Sequence, residues 1–179
     1  MKVETYLPLG KTDPGIRAPD KAIDLSTLLQ DAKQVEDLGY DALVVEETKD
    51  DPYQVMAIAA AGTTTLKLAT SVAMAFPRAP AITAMSAWSI QRLSKGRFTL
   101  GLGSQVRGHI MRRFGLDYHP PGPWMRDYIG AVQTYNREFM VLPDRWVAAI
   151  FNGSYERAAT FEAAPQAQSA PEVDFGRDN

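Results

Sequence analysis

The apolar residues of this chain follow two alternating patterns between residues 3 and 102. Short, nearly continuous apolar runs are typical of strands that are covered on both faces, as in a parallel sheet. Between these runs, apolar residues recur at steps of three and four, which predicts amphipathic helices. The predicted strands are Val3–Leu7, Ala42–Val45, Leu66–Val72 and Phe98–Leu102. The predicted order of elements is therefore βαβαβαβ.

Proline, glycine and aspartate mark the ends of the predicted helices. Asp51 followed by Pro52 starts a helix, because the carboxylate accepts hydrogen bonds from free N–H groups and proline has no N–H to satisfy. Gly62 ends this helix, and two further helices are predicted from Leu25 to about Leu38 and from Pro80 to about Leu93. Strands that alternate with helices require right-handed crossovers and a parallel sheet. The predicted fold class is α/β, as a doubly wound sheet or a barrel.

The pattern changes beyond Gly103. A polar segment reaches Gly115, and one more helix is predicted from about Trp124 to Met140, with no comparable strand after it. From Ala163 the chain is rich in Ala, Gln, Ser and Pro, a composition typical of disorder. We therefore predict an ordered domain over residues 1–140 and a largely disordered tail over residues 141–179.

Composition narrows the classes of function. Nineteen Lys and Arg against 21 Asp and Glu give a net charge of -2, which leaves no basic field to hold nucleic acid or an anionic membrane. The chain has no cysteine and two histidines, so Cys nucleophiles, disulfides and a metal site are all disfavoured. Its first residues are too polar for a signal peptide, and no apolar run reaches the roughly 18 residues that span a bilayer. A cytoplasmic protein with a small-molecule substrate is expected.

Several stretches carry a resemblance to a known family. The most specific are Ala61–Val72, Arg78–Pro80 and Leu93–Gly103, and the supporting ones are Ala32–Glu47, Gln105–Gly115 and Arg126–Tyr128. Together they resemble the luciferase-like oxidoreductases over about residues 1 to 138. From Arg137 onward the sequence departs from the family, so the tail over residues 141–179 is expected to lie outside it. The resemblance implies a (β/α)8 barrel of the TIM type, of which this chain supplies the first four β/α units. It also implies a flavin or deazaflavin ring at the carboxyl ends of the strands, where barrel enzymes keep their chemistry.

Three functions are compatible with this resemblance. Gln105–His109 and Arg112–Phe114 are most similar to the branch that uses the deazaflavin coenzyme F-420, which implies hydride transfer. The first alternative is FMN-dependent monooxygenation, in which reduced flavin captures O2. The second is a non-catalytic fragment or interaction module, because a full barrel takes about 250 residues. A frameshifted or truncated reading frame would explain the tail, and the exposed edges of a half-barrel predict a homo-oligomer.

Residues at the predicted strand ends are the candidate coenzyme contacts. Glu46 ends the second strand, where relatives place an acidic or polar contact, although a solvated loop charge would fit equally well. Ser71 and Val72 match the position where the family carries a non-prolyl cis peptide that supports the ring from one face. The other interpretation is an ordinary strand end.

The fourth strand ends in small residues, followed by basic ones. Gly101, Gly103 and Ser104 would let a flat ring approach closely, although simple barrel packing also favours glycine there. A dinucleotide fingerprint is excluded, because the third glycine arrives only at Gly108. Arg107 could hold a coenzyme phosphate or belong to a solvated helix face. His109 is a candidate catalytic residue without a readable partner.

Overall fold

The structure, a computed structural model, describes residues 2–7, 23–137, 147–151 and 154–156. Its strands are β1 (Glu4–Leu7), β2 (Ala42–Val45), β3 (Lys67–Thr70), β4 (Ala73–Met74), β5 (Phe98–Gly103), β6 (Val147–Phe151) and β7 (Ser154–Glu156). Its helices are α1 (Leu28–Asp37), α2 (Pro52–Gly62), α3 (Pro80–Leu93), α4 (Arg107–Phe114) and α5 (Pro121–Tyr135). No helix in these ranges is long and apolar enough to cross a membrane.

The strands form one sheet in the order β1-β2-β3-β5-β6-β7, with β4 paired to β5. All neighbours up to β6 run parallel, and β7 runs antiparallel to β6. The parallel α/β fold is therefore confirmed. The strands neighbour one another in chain order, as in a barrel, whereas a doubly wound sheet reverses its order at a switch point.

Three features of the structure differ from the elements predicted from the sequence. The third strand, predicted as Leu66–Val72, ends earlier in the structure: β3 stops at Thr70, and the short strand β4 follows at Ala73–Met74. The polar segment that reaches Gly115 contains α4, whose single buried residue, Ile110, gives too weak a periodicity to recognise. No strand was predicted after residue 103, yet β6 pairs with β5. That pairing is non-local and leaves no signature in the short run of residues 147–151. The rest of the predicted disordered tail, residues 141–146, 152–153 and 157–179, lies outside the described residues.

The two faces of the sheet have different neighbours. Leu43, Val45, Leu68, Leu100 and Leu102 belong to the main hydrophobic core, together with residues of the helices. Successive side chains of a strand point to opposite faces, so the residues between these leucines and valines face away from the helices.

The face away from the helices corresponds to the inside of a barrel. Register aligns Tyr6, Val44, Ala69 and Thr99 across β1, β2, β3 and β5. Tyr6 is 38% exposed and Thr99 is also exposed, whereas Val44 is buried. Along this row, the described residues thus leave Tyr6 and Thr99 exposed and Val44 buried.

Glu36 closes the loop that leads into β3. Its Oε1 atom accepts hydrogen bonds from the backbone N–H groups of Thr64, Thr65 and Leu66 at 2.8, 2.6 and 2.9 Å. Burial opposes the ionised form, but these three donors outweigh it and hold the pKa of Glu36 well below its ordinary value. Because α1 supplies the carboxylate, this contact joins a helix end to the amino end of a strand.

Replacing Glu36 by Gln should lower the free energy of unfolding by about 2 kcal/mol, because three backbone donors lose a charged acceptor. The folded-state pKa is depressed, so the stabilisation is full above the ordinary value of 4.5 and is lost as the pH falls below it. Urea unfolding of the wild type and the variant between pH 7 and pH 3 measures this difference. Asp37→Asn, at an exposed carboxylate of the same helix end, should cost much less. Equal losses in both variants would contradict this account of Glu36.

Candidate functional site

The ends of β2, β3 and β5 meet at one rim of the sheet. The Ser71 N–H donates to the Val45 carbonyl at 2.7 Å, and the Glu47 N–H donates to the Val72 carbonyl at 3.1 Å. Met74 pairs with Gly103, and the Ala75 N–H donates to the Gly103 carbonyl at 2.9 Å. Glu46, Ser71, Val72 and Gly103, which are separated in sequence, are thus brought to the same rim.

The peptide bond between Ser71 and Val72 is cis, as predicted. It lies between β3 and β4, at the interruption of the third strand. Both residues are partly exposed at the rim. Their predicted role as coenzyme contacts stays a prediction.

Gly103 of β5 allows the segment between β3 and β4 to approach closely. A Cβ atom on Gly103 would overlap Cγ2 of Val72 and lie 3.3 Å from its Cβ. The backbone of Gly101 is fixed to Thr70, whose Oγ1 donates to the Gly101 carbonyl at 2.7 Å and accepts from its N–H at 2.9 Å. The absence of a side chain at residue 103 is therefore what lets Val72 lie against β5.

Glu46 and Glu47 lie on opposite faces of the sheet. Val45 packs among the helices, so alternation along the strand places Glu46 toward the inside and Glu47 toward the helices. Burial raises the pKa of the Glu46 carboxyl above its ordinary value. A hydrogen-bond partner for this carboxyl is not found among the residues that the structure describes. Glu46 therefore presents a carboxyl group to the inner side of the rim.

Glu47 forms a buried ion pair that the sequence motifs do not reveal. Its Oε2 atom lies 2.8 Å from Nη1 of Arg78, and the side chains are 6% and 18% exposed. The same carboxylate accepts from the Met74 N–H at 2.7 Å. Arg78 belongs to one of the stretches that carry the family resemblance, but the sequence does not show which of two adjacent glutamates faces it. The strand before these glutamates is fully apolar, so no local signal distinguishes them.

The remaining candidate residues lie beyond the end of β5. Ser104 is buried directly after the strand, at 7% exposure. Arg107 lies on α4, where its Nε donates to the sulfur of Met111 and its guanidinium lies over the ring of Tyr118. His109 is exposed on the same helix. The structure thus places Ser104 at the rim and puts Arg107 and His109 on a separate helix beside it.

A cleft is formed where α5 meets the loop after β4, apart from the rim. This open cleft of about 420 Å³ is lined by Phe76, Pro77, Arg78, Ala79, Pro80, Trp124, Asp127 and Tyr128. Phe76 stacks on Trp124 with ring centroids 3.6 Å apart. None of the predicted coenzyme contacts lines this cleft. In the part of the chain that is described, no group of three or more His, Cys, Asp and Glu could hold a metal ion.

Replacing Gly103 by Ala should lower the free energy of unfolding by about 1 to 3 kcal/mol, because the new methyl group overlaps Val72. In a Val72→Ala background the same change should cost at least about 1 kcal/mol less, because the clashing methyl group is gone. A double-mutant cycle measured by urea unfolding gives this coupling. Strictly additive effects would mean that the two residues do not press on each other.

Comparison with known proteins agrees with this architecture. The family model for luciferase-like monooxygenases matches residues 4–176, a range that runs past residue 140 into the tail. An uncharacterized protein of Mycobacterium tuberculosis is 40% identical over 95 residues, which are 53% of this chain and 28% of that protein. The chain therefore spans less than a third of the length of this relative.

Two solved structures share the fold. The oxygenating component of 3,6-diketocamphane monooxygenase from Pseudomonas putida, in complex with FMN, has a TM-score of 0.65 at 17% identity, over 77% of this chain and 40% of that one. The coenzyme F-420-dependent tetrahydromethanopterin reductase of Methanopyrus kandleri has a TM-score of 0.57 at 19% identity, over 76% of this chain and 40% of that one. The barrel type of fold is thereby confirmed, and the family match establishes that this chain belongs to the luciferase-like monooxygenase family.

Proposed function

We propose that the rim formed by Glu46, Ser71, Val72 and Gly103 binds the ring of coenzyme F-420 for hydride transfer to or from a small-molecule substrate. The observation that carries this proposal is the convergence of these residues at the carboxyl ends of parallel strands, where barrel enzymes place their active sites. The preference for F-420 rests on the resemblance of Gln105–His109 and Arg112–Phe114 to the deazaflavin-dependent branch.

The residues at the rim fit a flat, hydrogen-bonding ring. The inner face carries the small side chains of Ala69 and Ser71, both partly exposed, whereas Gly101 and Gly103 are buried and Val72 fills the space over Gly103. The small side chains of β3 and of the residue after it leave room for a planar molecule to lie against this strand. Glu46 adds a carboxyl group on the same side, and an ionised carboxyl accepts hydrogen bonds from ring N–H groups.

The protein contributes position and polarity to such a reaction. When bound, the coenzyme supplies a ring carbon that accepts or releases a hydride. Ser71 and Val72 would support one face of the ring. Gly103 has no side chain, so Val72 can pack directly against β5. Arg107, exposed on α4 beyond the rim, would face an anionic coenzyme tail. His109, on the same helix, stays the candidate catalytic residue.

FMN-dependent monooxygenation is the second candidate, favoured by the fold shared with an FMN complex. The two functions differ in their need for oxygen, because a deazaflavin lacks the oxygen chemistry of reduced flavin. A chain that binds neither coenzyme would instead support the third interpretation, a non-catalytic fragment or interaction module.

The predicted homo-oligomer is a separate proposal. Light scattering of the purified chain would measure its molar mass and so its oligomeric state.

Titration of the purified chain with F-420 and with FMN, followed by coenzyme fluorescence, tests the proposed function. We expect saturable binding of F-420 at one site per chain and weaker binding of FMN. Tighter binding of FMN, together with O2-dependent product formation, would favour the monooxygenase. Failure to bind either coenzyme would contradict both enzyme functions.

Replacing Glu46 by Gln should weaken F-420 binding by about tenfold or more, because a charged hydrogen-bond acceptor is lost. The raised pKa of Glu46 adds a pH signature. Wild-type affinity should fall as the pH drops through that pKa, above the ordinary value of 4.5, whereas the affinity of the variant should not follow this titration. Dissociation constants measured from pH 8 to pH 4 give both curves.

Asp127→Asn is the control for this experiment, because Asp127 is an exposed carboxylate that lines the cleft and not the rim. Its affinity should equal that of the wild type. Loss of binding in Asp127→Asn with no loss in Glu46→Gln would indicate that the coenzyme binds in the cleft and not at the rim.

A further inference from the structure

One residue, Glu47, holds the backbone on both sides of Ala73. Its N–H donates to the Val72 carbonyl at 3.1 Å, and its carboxylate accepts from the Met74 N–H at 2.7 Å. Val72 directly follows the cis peptide bond. A backbone group and a side chain of the same residue therefore fix the segment that joins β3 to β4.

Arg78 fixes the Glu47 carboxylate in turn. Its Nη1 atom donates to both carboxylate oxygens, at 2.9 and 2.8 Å, and to the Met74 carbonyl at 3.2 Å. Its Nη2 atom lies 3.5 Å from Asp51, the residue that caps α2, and its guanidinium lies 5.2 Å from the ring centroid of Tyr53. The pair is thus anchored to the start of a helix and cannot shift independently of it.

The same segment is held from the opposite side by β5. The side chain of Val72 lies against the backbone of Gly103, and Met74 pairs with that residue. Glu47 acts from the helix side of the sheet and Gly103 from the inner side. The position of Ser71 and Val72 in the rim therefore depends on contacts from both faces of the sheet.

We propose that Glu47 and Arg78 are positioning residues that set the place of Ser71 and Val72 at the rim and, through them, the affinity for the coenzyme ring. This inference rests on the proposed function. Neither residue touches the ring, because both side chains lie on the helix side of the sheet. Their effect on binding is carried by the backbone of residues 71–74.

Glu36 provides a matched control for a purely structural role. It too is a buried carboxylate, at 8% side-chain exposure, that accepts hydrogen bonds from backbone N–H groups. It acts before β3, at the amino end of the strand, whereas Glu47 acts after it. Loss of either carboxylate should destabilise the fold, but only Glu47 is linked to the rim.

The test compares the wild type, Glu47→Gln and Glu36→Gln in three measurements: urea unfolding, hydrogen exchange of residues 72–75, and F-420 affinity. We expect both variants to be less stable than the wild type. Only Glu47→Gln should lose amide protection at Met74 and bind F-420 at least about tenfold more weakly, because small misplacements of supporting groups have large effects. Glu47→Asp, which keeps the charge but shortens the reach, gives the same comparison if Glu47→Gln does not fold.

Two results would overturn the inference. One is wild-type affinity and wild-type exchange in a folded Glu47 variant, and the other is an equal loss of affinity in Glu36→Gln. If the wild type binds neither F-420 nor FMN, the proposed function is refuted, and with it the coenzyme part of the inference. Hydrogen exchange at Met74 then decides alone whether Glu47 holds the segment.

Discussion

The register between β2 and β3 is the constraint on which the site depends. Val45 pairs with Thr70, so the next residues along each strand, Glu46 and Ser71, reach the rim at the same height. A slip of one residue would exchange the two faces of the strand. It would turn Leu43 and Val45 away from the helices that bury them, and Glu46 toward those helices. The hydrophobic core thereby fixes which polar groups face the inside.

Two buried carboxylates stabilise the ends of the third strand by the same physical means. Glu36 accepts three backbone N–H groups before β3, and Glu47 accepts one after it while pairing with Arg78. In both places a charged acceptor satisfies backbone donors where the regular ladder stops. The two differ in what they hold: a loop at the amino end, and the segment next to the candidate coenzyme site at the carboxyl end.

Part of the inner face is exposed among the residues that the structure describes. Parallel pairing runs from β1 to β6, and β7 adds one antiparallel strand. A closed barrel covers its inner side chains with those of the opposite strands. Here Tyr6 and Thr99 stay exposed on that side. Among the described residues, Ser71 and Val72 would support a ring bound at the rim, so binding strength would depend on how firmly these two residues are fixed.

The sequence by itself determined the parallel α/β class, the ends of α2 and α3, and the end of the second strand before Glu46. These features leave local marks: apolar runs, a capping Asp51 before Pro52, and motifs shared with a family. The tertiary structure alone decided that Glu46 faces inward while Glu47 pairs with Arg78, that the third strand breaks after Thr70, and that residues 147–151 pair with β5. The reason is that a fully apolar strand carries no alternation from which to read its faces. Pairing between distant segments depends on contacts that form only when the chain has folded.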